Sequence, residues 1–187
     1  MNLPAGIFPT DDSIEFFRSP IDAEKCFALT RGRVWRVKDL PADIKAMVIT
    51  DIDAHPAKLR QLVAMGYAGD DLLEKYCSCV YGLFDDKPDY ADGKFIHSEY
   101  VQCPVRATCP GNGILCNLLT VGQGKALTDR QTDILAHIGR RRLNKEIAGD
   151  LNISPETVKI HVKNIQLKAG LMNKKDLVWL AHQKQLV

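Results

Sequence analysis

Hydrophobic residues after position 127 recur at helical spacing in four short segments. Each segment follows a residue whose side chain can accept a hydrogen bond from the first turn of a helix. The first of these, Thr128, has Gln131 three residues later, which is the spacing of a capping box. The four expected caps are Thr128, Asn144, Ser154 and Asn173. The pattern predicts an all-α domain of four helices, in which the second and third form a helix-turn-helix.

The third of these helices has two faces of different character. The face expected to pack inward carries Val158, Val162, Ile165 and Ala169. The other face carries Lys159, Ile160, Lys163 and Leu167. Folding gives little reason for an isoleucine among exposed lysines, whereas in a major groove apolar side chains contact thymine methyls and lysines read guanine edges. The second face is therefore predicted to contact DNA.

Three segments of this region, 127–131, 144–148 and 153–165, resemble the DNA-binding domain of the LuxR/GerE family, which also occurs at the C terminus of NarL-type response regulators. The resemblance implies a helix-turn-helix that reads the major groove of double-stranded DNA. Its implied base contacts are Lys159, Ile160 and Lys163. Its implied phosphate contacts are Lys145, Thr157 and Asn164.

The chain departs from the family pattern between the first and second helices. Family members usually have a glycine in this connection, whereas this chain has Arg140-Arg141-Arg142-Leu143. The basic triplet leaves two questions open: which geometry the turn adopts, and whether the triplet adds a contact to a phosphate.

The last helix is expected to bury Leu177, Leu180 and Ala181 and to leave Trp179 on a different face. Because family members commonly pair through this helix, the resemblance implies a homodimer on two half-sites. The alternative is a monomer, since a single exposed aromatic residue is also frequent on monomers.

Charge divides the chain into two parts. Residues 125–187 hold twelve Lys and Arg against six Asp and Glu, a balance of +6, so the net charge of +2 leaves −4 for residues 1–124. A basic module joined to an acidic one is typical of a nucleic-acid-binding domain with a separate partner domain. We predict a cysteine-rich α+β domain over 1–120, a linker over 121–127 and the helix-turn-helix domain over 128–187.

Five of the six cysteines fall within a window of forty residues in the first part. They are Cys77, Cys79, Cys103, Cys109 and Cys116. Clustered cysteines near Gly and Pro turns in a reducing compartment indicate a metal, and tetrahedral zinc needs four ligands, so one cysteine or His97 would be spare. The spacing also fits an iron-sulfur cluster, or cysteines that bind no metal and pack as small hydrophobes, as is expected of Cys26.

The remaining elements of the first part form a small α+β module. Helices are expected over 56–65 and 70–84. Strands are expected in Cys26–Val37, over Ile44–Ile52 and over Phe95–Val101. The start of the chain lacks the features of a signal peptide, and no apolar run approaches the length of a membrane span, so a cytoplasmic location without membrane contact is expected.

Other function classes fit the sequence less well. Asp11-Asp12 and Asp51 could suggest a phospho-acceptor receiver, but Pro4 and Pro9 interrupt the strand that should precede the acidic pair, so these aspartates are read as cap and turn residues. No nucleotide-binding glycine loop, nucleophile elbow or His-Glu-x-x-His site is present, so no catalytic residue and no enzymatic activity are expected. The alternative to a transcription regulator is an adaptor that contacts RNA polymerase and binds DNA with little specificity.

Overall fold

The chain divides into two compact units, Met1–Asn117 and Leu118–Val187, which we call the first and second units. The computed structural model describes residues 3–22, 24–96 and 99–187. None of the helices in these ranges is long and apolar enough to cross a membrane.

The first unit combines a three-stranded antiparallel sheet with three helices. The strands pair in the order β1 (Glu15–Arg18), β2 (Cys26–Thr30) and β3 (Arg33–Arg36). The helices are α1 (Ala42–Asp53), α2 (Pro56–Ala64) and α3 (Gly69–Val80), and a small hairpin of β4 (Tyr90–Ala91) and β5 (Lys94–Phe95) follows them. The expected strands within Cys26–Val37 are confirmed as β2 and β3, and Arg31 and Gly32 between them have the positive φ that a two-residue turn between twisted strands requires.

The core of the first unit lies between the sheet and the helices. Its fully buried side chains include Phe16 from β1, Val48 from α1, Leu62 from α2 and Tyr76 from α3. Leu115, from the loop that follows β5, joins the same cluster. The loop that carries three of the cysteines is therefore anchored in the core by an apolar side chain.

The prediction of a strand over Ile44–Ile52 is wrong, because this segment lies in α1. Ile44, Val48 and Ile52 are its buried residues, and their spacing of four places them on one helical face. Asp51 is consequently a helical residue and not a turn residue: its carboxylate accepts hydrogen bonds from the hydroxyls of Tyr76 at 2.6 Å and Tyr81 at 2.7 Å.

Three other expectations for the first unit need correction. The second predicted helix ends at Val80 and does not reach residue 84. Of the strand expected over Phe95–Val101, the described residues contain only the end of β5, at Phe95. Positions 97 and 98 of the expected strand lie outside the described residues. The sequence pattern missed β1, a short strand that puts the carboxyl group of Glu15 in the interior.

The second unit begins with a hairpin and continues with four helices. The hairpin consists of β6 (Thr120–Val121) and β7 (Lys125–Ala126). The helices are α4 (Asp129–Gly139), α5 (Asn144–Asp150), α6 (Pro155–Ala169) and α7 (Lys174–Gln183). The segment 121–127, expected to be a linker, is thus folded, and Val121 and Leu127 are buried.

Glu15, Asp89 and Glu99 are carboxyl side chains buried in the described part of the first unit. Glu74 is buried as well, but its Oε1 pairs with Arg36 Nε at 2.9 Å. Burial is the main cause of a raised pKa in the first three, and repulsion from nearby carboxyl groups, including Asp85, raises it further, to about 9 for Glu15 and about 8 for Glu99. Each accepts a hydrogen bond from a backbone N–H. The donors are Asp85 to Glu15 at 2.8 Å, Phe16 to Asp89 at 2.7 Å and Leu83 to Glu99 at 3.1 Å.

The first unit is expected to lose stability as the pH rises. Between the unfolded pKa of Glu, 4.5, and the folded values of about 8 and 9, the unfolded chain releases protons that the folded unit keeps. The contribution of these groups to stability is therefore greatest below pH 4.5 and is lost progressively up to about pH 9. Thermal unfolding of a Trp179→Phe chain, followed by Trp35 fluorescence, would measure this, and Glu15→Gln should flatten the pH dependence. A melting temperature of the first unit that rises from pH 5 to 8 would contradict the prediction.

Candidate nucleic-acid interface

The third helix of the predicted domain, α6, is held by two fully buried residues, Val158 and Ile165. They lie seven positions apart on the face that packs against α4 and α5. The predicted inner-face residues Val162 and Ala169 are half-buried at the edges of this face. The sequence prediction of the inner face is therefore confirmed at its centre.

The opposite side of α6 is exposed and carries the residues predicted to meet DNA. This recognition face consists of Lys159, Ile160, Lys163, Asn164 and Leu167. Ile160 and Leu167 are 61% and 65% exposed, respectively. Lys159 Nζ lies 2.8 Å from Glu156 Oε1, in an ion pair that is open to solvent on both sides. An exposed pair of this kind contributes little to stability, so Lys159 can exchange Glu156 for another acceptor at low cost.

The N-terminal caps of these helices agree with the sequence prediction in part. The capping box at the start of α4 is confirmed, with Gln131 N donating to Thr128 Oγ1 and Thr128 N donating to Gln131 Oε1. Ser154 caps α6 by accepting from Thr157 N at 3.0 Å. Asn144 is not the cap of α5, since that position belongs to Leu143, whose N–H donates to Glu146 Oε2 at 2.7 Å.

The turn between α5 and α6 places the start of the recognition helix. Asn152 has a φ of 52°, a left-handed conformation that asparagine tolerates better than most residues. Arg130 of α4 donates to the carbonyl oxygen of Leu151 at 3.0 Å. The turn is thus fixed both by its own backbone and by a side chain from α4.

The predicted phosphate contacts lie at the starts of the two helices of the helix-turn-helix. Lys145 is exposed in the first turn of α5. Thr157 is half-buried in the first turn of α6, and its hydroxyl lies 2.9 Å from that of Ser154. Backbone N–H groups at helix N-termini favour anions, so these positions suit phosphate. Asn164 lies further along α6, on the recognition face.

Sequence reasoning missed a tether on the inner side of α6. Lys168 Nζ donates to the carbonyl oxygen of Ala126 and to Gln131 Oε1, both at 2.8 Å. One ammonium group therefore links the entry hairpin, the capping box of α4 and the end of α6. A lysine near a helix C-terminus gives no sequence signal that distinguishes such a tether from a solvated charge.

The last helix, α7, buries Leu177, Leu180 and Ala181 as predicted. Asn173 occupies its N-cap position, as predicted, but its side chain makes no capping hydrogen bond. Trp179 is 58% exposed, so a large aromatic surface faces solvent in the isolated chain.

The predicted metal ligands lie in two environments. Cys77 and Cys79 are buried on α3, whereas Cys103, Cys109 and Cys116 are partly exposed on the loop that follows β5. Among residues 3–22, 24–96 and 99–187, no three His, Cys, Asp or Glu side chains already have the arrangement of a metal site. The other ligand considered from the sequence, His97, lies outside the described residues.

Comparison with known proteins identifies the second unit. Residues 125–181 match the GerE family, described as bacterial regulatory proteins of the luxR family. The nitrate/nitrite response regulator protein NarP of Escherichia coli (strain K12) is 40% identical over 48 residues, which are 26% of this chain and 22% of NarP. The oxygen regulatory protein NreC of Staphylococcus aureus (strain JH9) is 41% identical over 63 residues, which are 34% of this chain and 29% of NreC.

The second unit therefore contains a helix-turn-helix domain. Its family is GerE/LuxR, and its position at residues 125–181, after the first unit, agrees with the sequence resemblance. The chain matches less than a third of the length of either relative. No solved structure matches the chain significantly.

The departure from the family pattern between α4 and α5 has a defined geometry. In this basic turn, Arg140–Leu143, Arg141 has a φ of 59°, the left-handed conformation that favours glycine. Arg140, Arg141 and Arg142 are all exposed. Arg142 forms two ion pairs, Nη1 lying 3.6 Å from Glu146 Oε1 and Nε lying 3.9 Å from Asp150 Oδ2. The turn thus keeps a glycine-like backbone while it presents cationic side chains to solvent.

Replacement of Arg141 by glycine should stabilise the second unit by about 0.5–1 kcal/mol, because the left-handed conformation costs a residue with a Cβ about 1–2 kcal/mol and the added freedom of glycine in the unfolded chain offsets only about 0.5–1 kcal/mol of that. Arg140 is the matched control, since its φ of −75° gives glycine no such advantage and Arg140→Gly should destabilise. Denaturant unfolding of Trp35→Phe chains, followed by Trp179 fluorescence, compares the two. Equal losses of stability in both variants would refute the strain at Arg141.

Proposed function

We propose that the protein is a sequence-specific DNA-binding regulator of transcription. The observation that carries this proposal is the recognition face of α6, where two lysines and an isoleucine stand exposed on a helix whose other face is buried. The match of residues 125–181 to bacterial regulatory proteins supports it. In this proposal Lys159, Ile160 and Lys163 contact base edges, and Lys145, Thr157 and Asn164 contact phosphates.

Charge supports the same partner. The surplus of six basic residues after position 124 would neutralise phosphates, so affinity should fall steeply as salt concentration rises. Because its partner is genomic DNA, the protein is proposed to act in the cytoplasm of a bacterium and without catalysis of its own. Occupancy of an operator near a promoter would then control transcription, and a contact with RNA polymerase is part of this proposal.

Lys159→Ala and Lys163→Ala are each expected to weaken binding to the selected operator by about 1–3 kcal/mol and to relax base preference, because each removes a groove contact. An operator is first selected from a random DNA library with the full chain. Binding is then measured by fluorescence anisotropy against operator and unrelated DNA. Lys184→Ala, beyond the end of α7, is the matched control. Unchanged affinity in both groove variants would rule out the assigned face, and equal affinity of the wild type for all DNA would favour the adaptor.

We further propose that two copies pair through α7 on DNA. The exposed Trp179 supports this, since burial of a large aromatic side chain against a second copy would remove apolar surface from water. A two-fold dimer places one recognition helix in each of two successive major grooves.

Trp179→Ala is expected to convert cooperative binding at a two-half-site operator into independent binding of single copies. Because Trp179 is exposed, the fold should tolerate the change. Val34→Ala, which removes a comparably exposed apolar side chain from the first unit, is the control. Analytical ultracentrifugation with and without DNA gives the stoichiometry, and wild-type chains that bind the operator singly would exclude pairing.

Finally, we propose that a metal stabilises the first unit and that cysteine thiolates hold it. Support comes from the window that contains Cys77, Cys79, Cys103, Cys109 and Cys116 and from the irregular loop that carries the last three. Zinc is the proposed ion, and an iron-sulfur cluster is the alternative occupant of the same thiolates.

A further inference from the structure

Four of the six cysteines gather at one place, and Cys77 is not among them. Cys79 interacts electrostatically with Cys103 and Cys109, and Cys116 interacts with Cys79, Cys103 and Cys109. Cys77 is fully buried in the core, and the groups that interact with it electrostatically are Cys26, Asp89 and Asp51. Since two helical residues two positions apart point about 200° away from each other, α3 can offer only one of its two thiols to the loop.

Hydrogen bonds from Arg18 bring Cys79 and Cys103 together. Arg18 Nε donates to the carbonyl oxygen and the hydroxyl of Ser78, both at 2.8 Å. The same guanidinium donates through Nη1 to the carbonyl oxygen of Gln102 at 3.1 Å. One side chain thus joins the residue before Cys79 to the residue before Cys103.

Two further contacts place the other cysteines of the loop. Asn117 Nδ2, next to Cys116, donates to the carbonyl oxygen of Val80, next to Cys79, at 3.3 Å. Gln61 of α2 donates to the carbonyl oxygen of Pro110, next to Cys109, at 3.1 Å. The segment 103–116, which we call the cysteine loop, is therefore bound at both ends and in the middle to the helices around Cys79.

The charges around the four thiols suit an anionic centre. Burial raises the pKa of Cys79 and of Cys116, and nearby cations, Lys75 and Arg18 for Cys79 and Arg106 for Cys116, oppose this rise. Lys58 interacts with both cysteines and also with Asp51. Four thiolates around one Zn²⁺ carry a net charge of −2, which would be costly to bury without nearby cations. Cationic side chains on several sides offset this cost.

We propose that Cys79, Cys103, Cys109 and Cys116 bind one zinc ion as four thiolates, and that Cys77 takes no part. This assignment rests on the metal proposed above for the first unit. Each thiol releases a proton to solvent as its sulfur binds the ion. The sulfurs are neighbours that do not yet have the spacing of ligands, so zinc draws the cysteine loop towards the end of α3. The site closes the loop onto the sheet and helices and is structural, because all four positions of the tetrahedron are filled by protein.

The test compares two buried cysteines of the same helix. The full chain is purified anaerobically, and zinc, iron and acid-labile sulfide are measured in the wild type, Cys77→Ala and Cys79→Ala. About one zinc per chain is expected in the wild type and in Cys77→Ala, and none in Cys79→Ala. Cys109→Ser repeats the comparison at a partly exposed loop position, where substitution alone should not unfold the unit. Trp35 fluorescence in a Trp179→Phe background measures the melting temperature of the first unit, and loss of zinc should lower that temperature.

The outcomes separate the ligand assignment from the proposal it rests on. A wild-type chain without metal overturns the metal-stabilised unit, and iron with sulfide overturns the single zinc ion. Zinc that is retained in Cys79→Ala or Cys109→Ser but lost in Cys77→Ala overturns the ligand set alone. If Cys79→Ala proves unfolded, a wild-type chain whose melting temperature does not fall with a chelator also contradicts the proposal. Operator binding by the same samples shows whether DNA recognition stands independently of the metal.

Discussion

The arrangement of the second unit depends on which side of α6 is buried. Burial of Val158 and Ile165 contributes about 1.5–3 kcal/mol for each side chain, but Ile160 and Leu167 on the opposite side would gain similarly if the helix rolled over. Hydrophobicity alone therefore fixes the roll of this helix weakly. The bond of Arg130 to the turn before α6 and the bonds of Lys168 near its end tie the helix to other elements, so they select the observed orientation and with it the set of side chains that faces solvent.

Most of the second unit could be predicted from sequence because its signals are local. Caps, helical spacing and turn residues each involve positions within four residues of one another, so Thr128, Ser154 and the inner face of α6 were found without knowledge of the fold. The tether of Lys168 to Ala126 could not be found in this way, because its partners lie 42 positions apart. The shift of the α5 cap from Asn144 to Leu143 has a local cause, because the Leu143 N–H donates to Glu146 three positions later, but cap propensity favours asparagine over leucine.

The first unit was harder to predict because its decisive features are non-local. The apolar run Ile44–Ile52 fits a strand as well as a helix until its partners are known, and only packing on α2 and α3 selects the helix. The buried carboxyl groups of Glu15 and Glu99 go against the usual exposure of acidic residues. The sequence window predicts a metal site from five cysteines, but it cannot separate Cys77 from Cys79, since that requires the direction in which each thiol leaves α3.

The hairpin of β6 and β7 belongs to the second unit, although the match to the family begins only at residue 125. Leu119 and Val121 are buried, and Leu127 N donates to the carbonyl oxygen of Leu119 at 2.8 Å, so residues before position 125 complete the fold. A gene fusion that joined a new partner domain at residue 125 would remove β6 and leave the Leu127 N–H without its Leu119 acceptor. Recombination that exchanges partner domains while preserving the regulator should therefore cut between Asn117 and Leu118. The hairpin is then inherited together with the four helices.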